Sequence, residues 1–235
     1  RETTEALRES NAELEAFAYA VSHDLQEPLR MMTSYAQLLH RRYRDVLDER
    51  GRTYVDEAQG AAQRMQRLIQ DLLAYSRITT QGGTFGTVAL DGAVDEALAN
   101  LETAVTESGG RVAVDRPLPA VRGDYGQLVR LFQNLIGNAL KYRHPERAPE
   151  VTVAARPGDG FWQVDVADNG IGVPEGKAEA IFEVFQRAET SAAYSGTGIG
   201  LAVCRRIVER HGGTIEAVPG DPVGTVFRFT LPGVD

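Results

Sequence analysis

Leu7, Leu14, Val21 and Pro28 stand seven residues apart, and Phe17, Ala18 and Leu25 fill the same seam. Met31, Met32, Tyr35, Leu38 and Leu39 continue the pattern to about residue 47. A seven-residue apolar repeat sustained over several turns commits a chain to helix-on-helix packing. The polar break Asp48-Glu49-Arg50-Gly51 suits a turn between antiparallel helices. A second helix is predicted from about Arg52 to Ile78. Its apolar stripe is Tyr54, Ala58, Ala61, Met65, Leu68, Ile69, Leu72 and Leu73. Two helices cannot enclose a core by themselves, but two copies of the hairpin can, as a dimeric four-helix bundle. The first expectation is therefore a homodimer.

Leu14, Ala18, Val21 and Leu25 share one face of the first helix, and at about 100° per residue His23 points nearly opposite to it. Asp24 follows directly, and Glu27 lies four residues on, along the same exposed side. An exposed imidazole beside a carboxylate is a candidate nucleophile, because the carboxylate can hold the ring and take its proton. By itself the stretch also reads as a surface histidine in a charged helix. Pro28 removes a hydrogen bond from the helix interior and marks a bending point.

The stretch Thr79-Thr80-Gln81-Gly82-Gly83-Thr84 is polar and glycine-rich, and beyond it the pattern turns to mixed helix and strand. The expected division is a helical hairpin over residues 1–79, a linker over 80–84 and a second domain over 85–235. In that domain strands are predicted at 85–90, 111–115, 151–155, 162–167, 214–218 and 225–231, the pair 151–155 and 162–167 being antiparallel. Helices are predicted over Ala93–Glu107, after a cap at Asp124, and over Gly198–His211, closed by Gly212-Gly213. This grouping suggests an α/β sandwich, one sheet with helices on one face. The chain as a whole is then multidomain, all-α followed by α+β.

Three clusters in the second domain carry chemistry. Asn134, Asn138, Lys141 and Tyr142 fall three to four residues apart or adjacent on one side of a helix whose other side is the apolar row Leu131, Leu135 and Ile136. Two amides and a lysine on one rim suit a hydrated magnesium and phosphate oxygens. Asp168-Asn169-Gly170-Ile171-Gly172 follows a strand. Its carboxylate can accept from an exocyclic amine, and its glycines let backbone approach a planar ring. A plain turn is the simpler reading of those five residues alone. Gly196-Thr197-Gly198-Ile199-Gly200 opens a helix, where glycine-rich backbone binds anions. It is neither a Walker loop, because no Lys-Ser/Thr follows, nor a dinucleotide fingerprint, because no strand precedes it.

Composition removes several function classes. The net charge of −8 argues against nonspecific nucleic-acid binding. No apolar run has membrane-spanning length, so no membrane contact is expected from this region. The single Cys204 excludes an internal disulfide, reads as a core residue, and suits a reducing cytoplasm. The chain opens on Arg1 already in helical pattern, so an upstream sensory domain joined at the N-terminus is expected.

In order and spacing these pieces resemble the transmitter core of bacterial sensor histidine kinases. The stretch Ser22-His23-Asp24-Leu25-Gln26-Glu27-Pro28-Leu29 is similar to the family's H box, and Asn134 to Tyr142 to its N box. Asp168 to Gly172 is similar to the G1 box, Phe182-Glu183-Val184-Phe185 to the F box, and Gly196 to Gly200 to the G2 box. The resemblance covers nearly the whole chain, and the wording around Phe17-Ala18-Tyr19-Ala20 is similar to phytochrome-linked kinases. It implies a GHKL-type ATP-binding domain after the phosphoacceptor hairpin, with ATP and Mg2+ as cofactors. His23 is implied as phosphoacceptor and Asp24 as its base. Asn138 is implied as the magnesium residue with Asn134 assisting, Lys141 as reaching phosphate, and Tyr142 as lining the nucleotide. Asp168 is implied as the adenine reader with Thr225 helping. Gly170 and Gly172 are implied as shaping the pocket, and Gly196, Thr197, Gly198 and Gly200 as holding phosphates, with residues 186–197 as an ATP lid. The implied partner is the receiver domain of a response regulator, whose aspartate takes the phosphoryl group. One position departs from the family pattern. Four residues after the histidine the family commonly has Thr or Asn, whereas Glu27 cannot donate a hydrogen bond when ionised. A mainly phosphatase module is the alternative this bears on. A clamp ATPase on the same fold would need a carboxylate base between Asn134 and Tyr142, and none is there.

Overall fold

The computed structural model describes residues 25–80, 83–186 and 197–234, without the side chains at 74, 77, 79 and 80. The chain divides into two compact units, Arg1–Thr80 and Gln81–Asp235.

In the first unit, helix α1 occupies residues 25–43 and helix α2 spans Glu49–Thr80. The turn between them falls earlier than the polar break predicts. Asp48 accepts the Gly51 N–H at 2.8 Å, so it caps α2, and Glu49 to Gly51 form that helix's first turn. Thr80, placed in the linker by composition, is the last residue of α2. His40 Nδ1 lies 2.8 Å from Asp56 Oδ1 and Arg44 lies 3.1 Å from His40 Nε2, tying the two helices near the turn. The buried cluster between them is Leu29, Ala62, Ile69 and Leu73. Ile69 and Leu73 belong to the stripe predicted for α2, and Leu68 and Leu72 beside them are half-buried, but the N-terminal half of that stripe is not buried. Val55, Ala62, Ile69 and Ser76 stand seven apart and are buried or half-buried, whereas Tyr54, Ala58, Ala61 and Met65 are exposed. On α1, Leu25, Met32, Leu39 and Val46 also stand seven apart, from the helix into the turn, and are exposed. Each helix therefore carries a second apolar seam that the hairpin leaves uncovered.

In the second unit the elements run β1 Gly86–Ala89, α3 Leu90–Asn100, α4 Glu102–Ser108, β2 Arg111–Val114, β3 Ala120–Gly123 and α5 Tyr125–Lys141. They continue as β4 Glu150–Pro157, β5 Phe161–Asp168, a 3-10 turn Ala180–Phe182, α6 Gly200–Arg210, β6 Ile215–Pro219 and β7 Thr225–Pro232. A five-stranded sheet has the order β2-β4-β5-β7-β6, and β1 pairs with β3 in a separate antiparallel ribbon. All pairs in the large sheet are antiparallel except β2 with β4, which is parallel. Strand alternation sorts the sheet's faces. Val151, Val153, Val164, Val166, Phe227, Phe229 and Leu231 are buried toward the helices. Outward lie Asp165 and Arg228, paired at 3.0 and 3.1 Å. Helix α5 buries Leu128, Leu131, Phe132, Leu135 and Ile136 on one face, and Phe132 meets Phe229 edge-on at 5.9 Å between ring centres. The helical hairpin followed by a one-sheet α/β domain is the architecture the sequence predicts. Two local features differ. The single helix expected over Ala93–Glu107 breaks at Leu101, and strand β3 was not anticipated.

Candidate functional site

Helix α5 supplies the first rim. Asp124 caps it by accepting the Gln127 N–H at 3.3 Å, and Tyr142 is its C-cap residue. With the apolar face turned to the sheet, the residues at 134, 138 and 141 emerge half-buried along the opposite edge. Asn134 Nδ2 is buried without a hydrogen-bond partner among the described residues. A buried donor left unmade is costly, so this amide is poised for an acceptor from outside the chain. Lys141 Nζ donates to the Tyr142 hydroxyl at 3.1 Å and lies 4.5 Å over its ring.

Strand β5 ends on Asp168, whose Oδ1 accepts the N–H groups of Gly170 at 2.8 Å and Thr225 at 3.2 Å. Among the described residues Oδ2 accepts none. Burial pushes the Asp168 carboxyl above the usual carboxylate range, and the two backbone N–H groups pull against that shift. The glycines are required by close approach. A Cβ on Gly170 would lie 2.4 Å from the Tyr142 carbonyl oxygen, and Ile171 N donates to that same oxygen at 3.0 Å. The end of α5 and the turn after β5 are therefore fastened together. Asn169 does structural work instead: its side chain accepts from Glu150 N at 2.9 Å and donates to Ala148 O at 3.0 Å.

The third rim is the start of α6. Among the described residues no side chain caps it at Ile199, which leaves its first N–H groups to an anion. Gly200 packs on α5, since a Cβ there would lie 3.5 Å from Asn134 Oδ1. Gly198 takes φ +72, and its carbonyl accepts the Phe185 N–H at 3.0 Å. The structure thus brings Asn134 against Gly200, and Tyr142 against Gly170 and Asp168, along one edge of the helix layer. Gly172 also takes positive φ, +75, where a Cβ would sit 3.4 Å from the Gly224 carbonyl oxygen. Thr197 lies beside the turn, its hydroxyl 3.4 Å from Ile199 N. His23, Asp24 and Gly196 lie outside the described residues, as do residues 187–196 of the expected lid.

Sequence reasoning gave no role at the site to Gly224, which takes φ +89 and where a Cβ would fall 1.8 Å from the Asp168 carbonyl oxygen. It placed Thr225 near Asp168 by resemblance, and the contact is made by its backbone N–H. A glycine directly ahead of a strand was the only signal. Cys204 is fully buried, and burial pushes its thiol far up, so it is inert core. Among the described residues no cluster of three or more His, Cys, Asp or Glu could hold a metal, and no helix is long and apolar enough to cross a membrane.

Residues 13–81 match the family of His Kinase A (phospho-acceptor) domains. Residues 123–235 match the family described as histidine kinase-, DNA gyrase B-, and HSP90-like ATPase. Cyanobacterial phytochrome A of Nostoc sp. is 44% identical over 226 residues, which are 96% of this chain and 29% of that protein. Phytochrome-like protein Cph1 of Synechocystis sp. is 42% identical over 228 residues, 96% of this chain and 30% of that protein. The chain thus spans under a third of the length of these relatives. The structure of full-length ShkA in complex with AMPPNP superposes with a TM-score of 0.69 at 26% identity, over 92% of this chain and 45% of that one.

Proposed function

The chain belongs to the sensor histidine kinases, as their transmitter core, and from that premise we propose that it uses ATP to phosphorylate its own His23 and passes the phosphoryl group to an aspartate of a response-regulator receiver domain. The observation that carries this reading is the convergence of the uncapped start of α6 on the unpartnered Asn134 amide. Asp168, fastened to the far end of α5, completes the edge. Open N–H groups suit the phosphates, and a buried carboxylate with one uncommitted oxygen suits the amine of adenine. Thr197, Gly198 and Gly200 hold the phosphate turn, with Gly196 preceding it. Gly170 and Gly172 let the base approach, and Lys141 and Tyr142 flank it.

The donor set also fits magnesium. Half-buried Asn138, one turn on from Asn134, offers an uncharged oxygen, as suits an ion that arrives hydrated and bound to phosphate. Asn138 would hold it with Asn134 assisting, and its role is to neutralise charge developing on the phosphate oxygens. The neutral imidazole of His23 attacks the γ-phosphorus, the bond to the β-phosphate oxygen breaks, and ADP leaves. Asp24 takes or holds the ring proton. Little covalent chemistry is asked of the protein, so switching by the geometry of two domains is sufficient.

The working division is a hairpin ending at Thr80, a linker over 81–84 and a catalytic domain over 85–235. The uncovered seams of α1 and α2 support a homodimer through a four-helix bundle. An upstream sensory domain, as in the phytochrome relatives, and a cytoplasmic setting complete the reading. A mainly phosphatase role is less favoured, because the exposed Glu27 carboxylate would repel an acidic receiver pocket. The test is label transfer from γ-labelled ATP. Acid-labile label on the wild-type chain, absent from His23→Gln, is expected. Label that survives that substitution ends the assignment.

A further inference from the structure

The phosphate turn is held from a second place, one and a half turns into α6. Arg205 donates to Glu179 Oε1 at 2.6 Å, lies 3.6 Å from Glu183 Oε1, and stacks its guanidinium 4.6 Å over the Phe182 ring. Phe182 is buried and meets Phe227 edge-on at 6.3 Å. Three residues on, Phe185 takes φ +66, costly for a side chain of that size, and donates its N–H to the Gly198 carbonyl at 3.0 Å. Gly198 in turn has no room for a Cβ, which would fall 2.9 Å from the Gln186 carbonyl oxygen. The contacts close a circuit. It leaves α6 at Arg205, runs through Glu179, Phe182 and Glu183 to Phe185, and returns through Gly198 to the first turn of the same helix.

We propose that Arg205 is a positioning residue for nucleotide binding. It fixes the Phe182–Phe185 segment on α6 and so fixes the Gly198 turn that receives the phosphates. The inference rests on the kinase reading, which places ATP at that turn. Two arguments favour positioning over bulk stability. The carboxylate partners are largely exposed, at 83% and 66%, and exposed ion pairs add little to stability. A planar guanidinium that forks to two carboxylates while lying on a ring also fixes orientation as well as distance.

The test uses the full chain with Arg205→Gln, Arg205→Lys and the double variant Glu179→Gln/Glu183→Gln. The readouts are ADP titration, the KM for ATP and kcat of His23 labelling, and thermal unfolding. In Arg205→Gln, KM and the ADP dissociation constant are expected to rise roughly tenfold with kcat within about twofold, the pattern of lost uniform binding. The melting temperature is expected to stay within about 3 °C. Arg205→Lys, which keeps the charge without the planar fork, recovers less than half of the lost affinity, and the glutamate double variant reproduces the loss with Arg205 intact. Unchanged KM and ADP affinity in both Arg205→Gln and the double variant, while the wild type binds and labels normally, overturns this inference alone. A fall in kcat at constant KM, or a loss of melting temperature that accounts for the weakened binding, also overturns it. A wild type that binds no nucleotide sinks this inference and the kinase reading together.

Discussion

Asp168 shows how one side chain can serve function at the expense of the fold. Burial raises its carboxyl above the unfolded value of about 3.9. A group whose folded pKa is raised stabilises the fold below the unfolded pKa, and that contribution is lost as pH rises through the folded one. At neutral pH the domain therefore carries a buried charge that opposes folding. Asp168→Asn keeps an oxygen for the Gly170 and Thr225 N–H groups and removes the charge. Its expected outcome is nucleotide affinity lower by roughly 10- to 100-fold, the loss of a charge-assisted hydrogen bond, with thermal stability at pH 7.5 equal or higher. Calorimetric titration with ADP and a melting curve check both halves, and a less stable variant would contradict the second. His211 behaves in the opposite sense. It is buried against the Phe85 ring at 4.7 Å, its Nε2 accepts the Asp124 N–H at 3.0 Å, and its Nδ1 lies 2.7 Å from the Ile207 carbonyl. Burial lowers its pKa, with Arg210 lowering it further, while the Ile207 carbonyl and the Asp124 carboxylate raise it. Its contribution is full above the unfolded value of about 6.5 and lost as pH falls through the folded one. The melting temperature of the second unit should drop between pH 7.5 and 5.5, and His211→Gln should flatten that drop. At this scale the sequence showed Asp168 because a carboxylate in an Asp-Asn-Gly turn is distinctive. It did not show the Thr225 backbone N–H or the fit of Gly224, because both contacts join segments about 57 residues apart.

Elements were legible in proportion to their period. Helix α5 carries a full apolar face and an aspartate cap, and it starts where that cap puts it. The break between α3 and α4 has no Gly or Pro to announce it. Leu101 leaves the helix with its N–H shared between the Ala97 and Leu98 carbonyls, at 3.1 Å each. Strand β3 has four residues, and its partner β1 lies more than thirty residues earlier, so no local pattern specifies it. In α2 the period was right and the stripe was drawn too broadly. Its Ile69 and Leu73 meet α1, whereas its Tyr54, Ala58, Ala61 and Met65 fall on a second, exposed seam. Glycines at strand ends give a sharp test of how tightly these elements are set. A Cβ on Gly213 would lie 1.8 Å from the Thr230 carbonyl oxygen, whereas one on Gly86 would meet nothing within 4 Å. Gly213→Ala should cost at least about 2 kcal/mol in urea unfolding and Gly86→Ala within about 0.5 kcal/mol. Equal effects would mean that the β6–β7 end is far less constrained than the backbone approach indicates.

For the whole molecule, the order of motifs was legible because each is short and local, and their sequence along the chain is itself the signature. Which surface the hairpin hides was not, because the sequence cannot tell a seam filled within the chain from one filled by a second copy. The structure separates them. Ala62 is 5% exposed and packs in the cluster with Leu29, while its neighbour Ala61 lies on the uncovered seam with Met65 at 49% and Tyr54 at 66%. On α1 the matching seam is Leu25, Met32 and Leu39, at 47%, 62% and 45%. A monomeric hairpin would leave this apolar surface in water at roughly 25 cal/mol per Å2, and a second hairpin packed seam to seam would bury it. Sedimentation of the wild type at micromolar concentration should therefore give a dimer. Ala61→Glu, which places a charge in the predicted interface, should weaken that dimer at least tenfold. Gln63→Glu, two residues further round on an exposed polar position, should leave it unchanged. The two substitutions add the same charge two residues apart, so net charge cannot account for a difference between them. Only a seam on one side of α2 can, and a folded wild-type monomer would show that the second seam has some other occupant.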